Sequence, residues 1–136
     1  MKLGAIVLDS DNIEELSDFY AKLLGWNKSS QIHDGEKWIT VINADYTQTP
    51  LVFQENPDYK KPIWPSTKME QQQMIHLDFY VKTDEFDDKV KHAINCGAKI
   101  AENQLSSDWT VMTDISGHPF CIIPIPKEVY EARYGA

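Results

Sequence analysis

"MIHLDFYV", Met74 to Val81, is the stretch from which the rest of the chain is read. Leu77, Phe79 and Val81 fall on one side of an extended segment with Ile75 in phase, and His76, Asp78 and Tyr80 fall on the other. Such alternation predicts a strand with one apolar face turned to a core and one polar face. Downstream, "TDEFDDKVKHAINCGAK" predicts a helix over about Asp84–Cys96, with Thr83 or Asp84 as N-cap. Its expected buried stripe is Phe86, Val90, Ala93 and Ile94, and Gly97 is placed to end it. Three extended runs follow, "AKIAENQ", "DWTVMTD" and "FCIIPI", the last two joined by a turn at "ISGHP".

Upstream, the same order occurs once before. Leu3 to Leu8 reads as a strand, and Asn12 stands as an N-cap with Glu15 at capping-box spacing. Ile13, Leu16, Tyr20, Leu23 and Leu24 recur at helical spacing, and Gly25 closes the helix. An Asp-Gly turn at Asp34–Gly35 joins two strand-like runs, and "PLVFQE" supplies another strand. The chain therefore divides into a first βαβββ module at about 3–55, a connector at 56–73 and a second module at about 74–124. The segment 125–136 forms a tail that carries one short helix. Pro57, Pro62 and Pro65 deny the connector regular pairing, while Trp64 within it is expected to pack on a neighbouring surface.

With 136 residues, a quarter of them charged, this is the composition of one soluble globular domain. The formal charge of −8 repels phosphate backbones and anionic lipid, so neither nucleic acid nor a membrane is an expected partner. Asp9 and Asp11 interrupt the first apolar run before it could serve as a leader, and no run is long enough to span a bilayer. Two cysteines, Cys96 and Cys121, without CxxC spacing impose no disulfide framework and no zinc motif. A cytoplasmic location with reduced thiols is the expectation.

Four segments in order, "FYAKLLGW" (19–26), "IHLDFYV" (75–81), "INCGAK" (94–99) and "DISGHPFCIIP" (114–124), resemble the vicinal oxygen chelate superfamily. That superfamily includes glyoxalase I, bleomycin-resistance proteins and extradiol dioxygenases, and the likeness is strongest to its small glyoxalase-like members of unassigned activity. The resemblance implies an α+β fold in which two βαβββ modules form a curved, mostly antiparallel cup. It also implies a ligand inside the cup and a homodimer.

In metal-dependent members, four ligands come from the first and last strands of the modules. Carried over by position, His76 fills one place and Gln54 another, while Cys121 stands where a glutamate is usual. The fourth place falls on Gly4, Ala5 or Ile6, none of which binds a metal. Gln, His and Cys make a poor ligand set for a divalent ion, so no metal and no other cofactor is expected, a divalent metal being the disfavoured alternative.

Each residue also has a plain structural reading. His76 suits a hydrogen-bonded strand histidine, Cys121 an inert buried thiol, and Asp114 with Gly117 a turn former. His33 and His118 suit solvated turn residues, and Trp38 and Trp109 core or cup-lining rings. The expected function is metal-free binding of a small, partly aromatic molecule by Gln54, His76 and Cys121, with Tyr80 and Trp109 at the rim. The alternative is a metal-dependent lyase, isomerase or dioxygenase of glyoxalase type. No catalytic residue is assigned.

Overall fold

The chain was analysed as a computed structural model, which describes residues 1–135. It divides into two units, Met1–Lys60 and a second that starts at Lys61. Each carries one βαβββ module.

In the first unit, β1 (Ile6–Ser10) leads to α1 (Ile13–Leu24), followed by β2 (Asn27–His33), β3 (Glu36–Ile42) and β4 (Leu51–Glu55). The strand order is β1-β4-β3-β2, with β1 parallel to β4 and the other pairs antiparallel. Helix α1 begins as its sequence implies. Asn12 Oδ1 accepts the Glu15 amide at 3.2 Å, and Asn12 Nδ2 donates to the Glu15 carboxylate at 3.0 Å. Gly25 ends it at φ 68°, a left-handed conformation that costs glycine nothing. Ile13, Leu16, Phe19 and Tyr20 are buried against Ile39, Val41, Leu51 and Phe53, and Tyr20 stacks on Phe53 at 5.8 Å.

The second unit repeats the order with β5 (Leu77–Lys82), α2 (Phe86–Cys96), β6 (Lys99–Ile100), β7 (Thr110–Thr113) and β8 (Pro119–Ile125). Its strand order, β5-β8-β7-β6, and its pairing senses match those of the first unit. Helix α3 (Lys127–Tyr134) follows and lies against β5. Lys82 Nζ is 3.6 Å from the Glu131 carboxylate and 5.5 Å from the Tyr130 ring centre.

Several details differ from the sequence expectations. The strand expected from Met74 begins at Leu77, and Ile75 is 64% exposed instead of covering a helix. The parallel register pairs Leu77 with Phe120, so His76 would fall beside Pro119, which has no amide hydrogen to extend the ladder. Helix α2 starts at Phe86, because Thr83–Glu85 form a 3₁₀ turn and the Thr83 hydroxyl donates to the Ile125 carbonyl at 3.0 Å. Ala93 is the fully buried member of the expected α2 stripe, whereas Ile94 is exposed. His118 is not solvated. Its Nδ1 sits 2.8 Å from the buried Asp114 carboxylate, which also accepts the Ser116 and His118 amides. Asp114 with Gly117, at φ 88°, thus shapes the turn before β8 as expected.

Candidate functional site

Strands β5 and β8 bring the chemistry of the second unit together. Residues alternate out of their shared sheet, and the parallel register sets Asp78 directly beside Cys121. His76, one turn of the pleat before Asp78, comes to the same side. Its Nε2 is 3.2 Å from Asp78 Oδ1, and both side chains are partly exposed, at 48% and 39%. The ligand atoms of His76, Asp78 and Cys121 all lie within 4.8 Å of one another.

These three groups open onto a pocket of about 420 Å³. Trp64, Tyr80 and Trp109 give it aromatic walls; Leu105, Val111, Pro119 and Ile123 complete the apolar lining. The volume lies within the range usual for small-molecule sites. Phe120 points to the opposite side of β8 and is fully buried, with Phe79 edge-on to it at 5.7 Å. One face of this strand pair therefore anchors the core while the other builds the pocket floor.

Cys121 is buried, and its thiol is pushed up from 9.0 to about 11. Burial is the largest cause, followed by the negative charge of Asp78 and the hydrogen bond to it. At neutral pH the sulfur is protonated and suited to donate to Asp78; it is not a thiolate nucleophile.

The outer wall is held by a residue outside the pocket. Gln104 Nε2 donates to the carbonyls of Ala101 and Val111, both at 2.8 Å, and its Oε1 accepts the Val111 amide at 2.8 Å. The side chain thereby adds to the Ala101 amide, which donates to the Val111 carbonyl at 3.0 Å, and fixes the loop that bears Leu105 and Trp109.

Of the residues selected from sequence, His76, Tyr80, Trp109 and Cys121 line this one pocket. Gln54 belongs to the first unit, half-buried on β4 between Asp9 and Trp38. The register also corrects the first-module counterpart of His76. Leu8 pairs with Phe53 and Asp9 with Gln54, as Leu77 pairs with Phe120 and Asp78 with Cys121. His76 therefore corresponds to Val7, rather than to Gly4, Ala5 or Ile6. Val7 is equally unable to bind a metal. Asp78 and Gln104 were missed. Asp78 had a signal, since it alternates in phase with His76 and Tyr80; Gln104, in an irregular loop, had none.

The donor set bears on whether a metal fits. Two ligands of one ion, at about 2.1 Å for nitrogen and about 2.3 Å for sulfur, stand at most about 4.4 Å apart. A small side-chain adjustment would bring His76, Asp78 and Cys121 onto an ion such as zinc, which accepts nitrogen, oxygen and sulfur donors.

Comparison with known proteins agrees with the architecture. No curated protein sequence matches the chain. A glyoxalase/bleomycin resistance protein/dioxygenase family enzyme from Burkholderia phytofirmans PsJN superposes with a TM-score of 0.67 at 17% identity, covering 92% of this chain and 99% of that one. A glyoxalase/dioxygenase from Nostoc punctiforme gives 0.65 at 20% identity, with 93% and 92% covered. A mutant of the fosfomycin resistance protein FosX from Listeria monocytogenes, complexed with Mn(II) and 1S,2S-dihydroxypropylphosphonic acid, gives 0.67 at 14% identity, with 98% and 97% covered. At these identities the likeness is one of fold. The family model described as a glyoxalase-like domain matches residues 5–123, and the chain belongs to that family, within the vicinal oxygen chelate superfamily.

Proposed function

We propose that the protein binds a small, partly aromatic molecule in the second unit's pocket without a metal. The observation that carries this reading is the pocket itself: three aromatic walls around a polar floor of His76, Asp78 and Cys121. The rings offer stacking surface, and the floor offers a carboxylate acceptor, a thiol donor and an imidazole to fix a ligand's orientation. The protonated state of Cys121 favours binding over covalent chemistry at the sulfur. Association of two copies belongs to the same proposal, because β1 and β2 in one sheet and β5 and β6 in the other are terminal strands that invite pairing.

Native mass spectrometry of protein purified without an affinity tag tests the reading. A co-purified organic adduct of fixed mass, lost in Trp109→Ala, and less than a tenth of an equivalent of metal (on the order of background) support it. Light scattering that reports two chains per particle supports the dimer.

A second reading, a metal-dependent enzyme of glyoxalase type, is favoured by one observation. His76 holds a ligand position of the superfamily, and Asp78 returns beside Cys121 the carboxylate that the last strand lacks. A bound ion would act as a Lewis acid toward a substrate oxygen. The Mn(II) in the FosX mutant gives this reading a precedent within the fold. A stoichiometric ion that survives dialysis and disappears in His76→Ala would replace the first reading with this one.

A further inference from the structure

We infer that the pocket selects flat organic cations, ring systems carrying a fixed or protonated nitrogen, over neutral or anionic molecules of the same shape. This rests on the small-molecule reading above and adds the ligand's charge. Among the lining residues, Asp78 is the one carboxylate and there is no lysine or arginine. Trp64, Trp109 and Tyr80 line the pocket, and an aromatic face turned to a ligand attracts a cation through its quadrupole as well as by stacking. A cation lying on such a ring and facing Asp78 gains both contributions, whereas an anion meets a like charge with only the His76 ring, 3.2 Å from Asp78, as a basic group in the lining.

Two further features act in the same sense. The chain carries a formal charge of −8, which raises the local concentration of cations around it. The β8 residue paired with Asp78 is Cys121, whose side chain carries no positive charge, so the carboxylate is not neutralised from that side. One aromatic wall already takes a cation within the molecule: Arg133 Cζ, on α3, stands 5.9 Å from the Tyr80 ring centre. Arg133 is outside the lining, and the two tryptophans are the rings left to an incoming ligand. The pocket therefore differs in charge preference from what the FosX mutant holds, a phosphonic acid together with a metal ion.

Three probes of nearly the same outline separate the cases: 1-methylquinolinium, 1-methylnaphthalene and 1-naphthoate, measured by equilibrium dialysis against the full chain. The expected result is that the cation binds at least about tenfold more tightly than the neutral hydrocarbon, with the anion weakest. Asp78→Asn is expected to bring the cation to within about threefold of the hydrocarbon. Trp109→Leu is expected to weaken both. Equal or tighter binding of the hydrocarbon, or a cation preference that persists in Asp78→Asn, overturns the charge inference and leaves the small-molecule reading intact. If none of the three probes binds, both fall.

Discussion

The two units share one topology and put it to different use. In the first, α1 buries Ile13, Leu16, Ser17, Phe19 and Tyr20, and the sheet residues beneath it are nearly inaccessible. In the second, α2 buries only Ala93 fully, and the chemistry is gathered on the opposite face of the sheet. Matching positions show how little sequence the change requires. Val7, Asp9 and Gln54 stand where His76, Asp78 and Cys121 stand in the repeat. Both units keep the aspartate. What distinguishes the second is an imidazole one pleat before it, a thiol across from it and a loop bearing Leu105 and Trp109 above it.

The largest expected effect tests what the units have in common. Phe53 and Phe120 occupy equivalent buried positions on β4 and β8. Either residue changed to alanine should cost about 3–5 kcal/mol in denaturant unfolding, since each leaves a cavity the size of a ring. A cost confined to one of them would break the equivalence. Next come the two turns before the last strands. Asp114→Ala leaves the Ser116 and His118 amides and the His118 ring without their acceptor, which should cost about 1–3 kcal/mol. Asn43 is the buried polar group of the corresponding turn, donating to Thr47 Oγ1 at 3.0 Å and accepting the Gln48 amide at 3.2 Å. Asn43→Ala should cost less, because its side-chain partners Asp45 and Thr47 are exposed and bond to each other at 2.7 Å; the reverse order would mean that the first turn is the stiffer one.

Cys121 provides a difference in pH response. Its thiol ionises at 9.0 in the unfolded chain and at about 11 in the folded one. Between those values the unfolded chain loses a proton that the folded protein retains. The stability present below pH 9.0 is therefore lost as pH rises through about 11. Thermal melts should show this loss in the parent and a flatter profile in Cys121→Ala. In a Cys96→Ser background, alkylation of Cys121 should reach half its maximal rate near pH 11. A midpoint near 9.0 would show that the second unit's sheet face is not enclosed as described.

The smallest effect lies in the first unit. Glu14 is held at about 2 by its hydrogen bond from Lys28 (2.7 Å) and then by one from Lys37. Its folded value is depressed from 4.5, so its contribution is present above pH 4.5 and lost as pH falls through about 2. The pair is exposed, and the melting difference between the parent and Glu14→Gln should be slight, shrinking further in high salt. A difference that survives molar salt would point to packing instead of charge.

Much of this was legible in the sequence, for identifiable reasons. Period-two alternation placed His76, just before β5, and Tyr80 within it on the pocket side, and Gly25 and Gly97 marked both helix ends because a left-handed residue is needed there. The cap at Asn12 could be read because its partner, Glu15, is three residues away. What could not be read depends on partners distant in the chain. The start of β5 is set by Pro119, the late start of α2 by the carbonyl of Ile125, and the counterpart of His76 by a parallel register that local patterning does not encode. Gln104 bonds to a backbone seven residues on, within a loop without periodicity. Gln54 was selected by position in its module, and its neighbours Asp9 and Trp38 follow from strand pairing alone.

Gln104 has a consequence for how such a protein could change its ligand. The loop from Ala101 to Trp109 is joined to the sheet at Val111 by the Ala101 amide and by the Gln104 side chain, which bonds both polar groups of that residue's peptide backbone. Residues 105–108 lie between this clasp and Trp109 and form no strand. Insertions or exchanges there would alter the mouth of the pocket without shifting any rung of the β7–β8 ladder. A library confined to residues 105–108, with Gln104 kept, would vary specificity at little risk to folding. The same library built on Gln104→Ala would keep only the Ala101 amide on Val111 and would hold the loop less firmly.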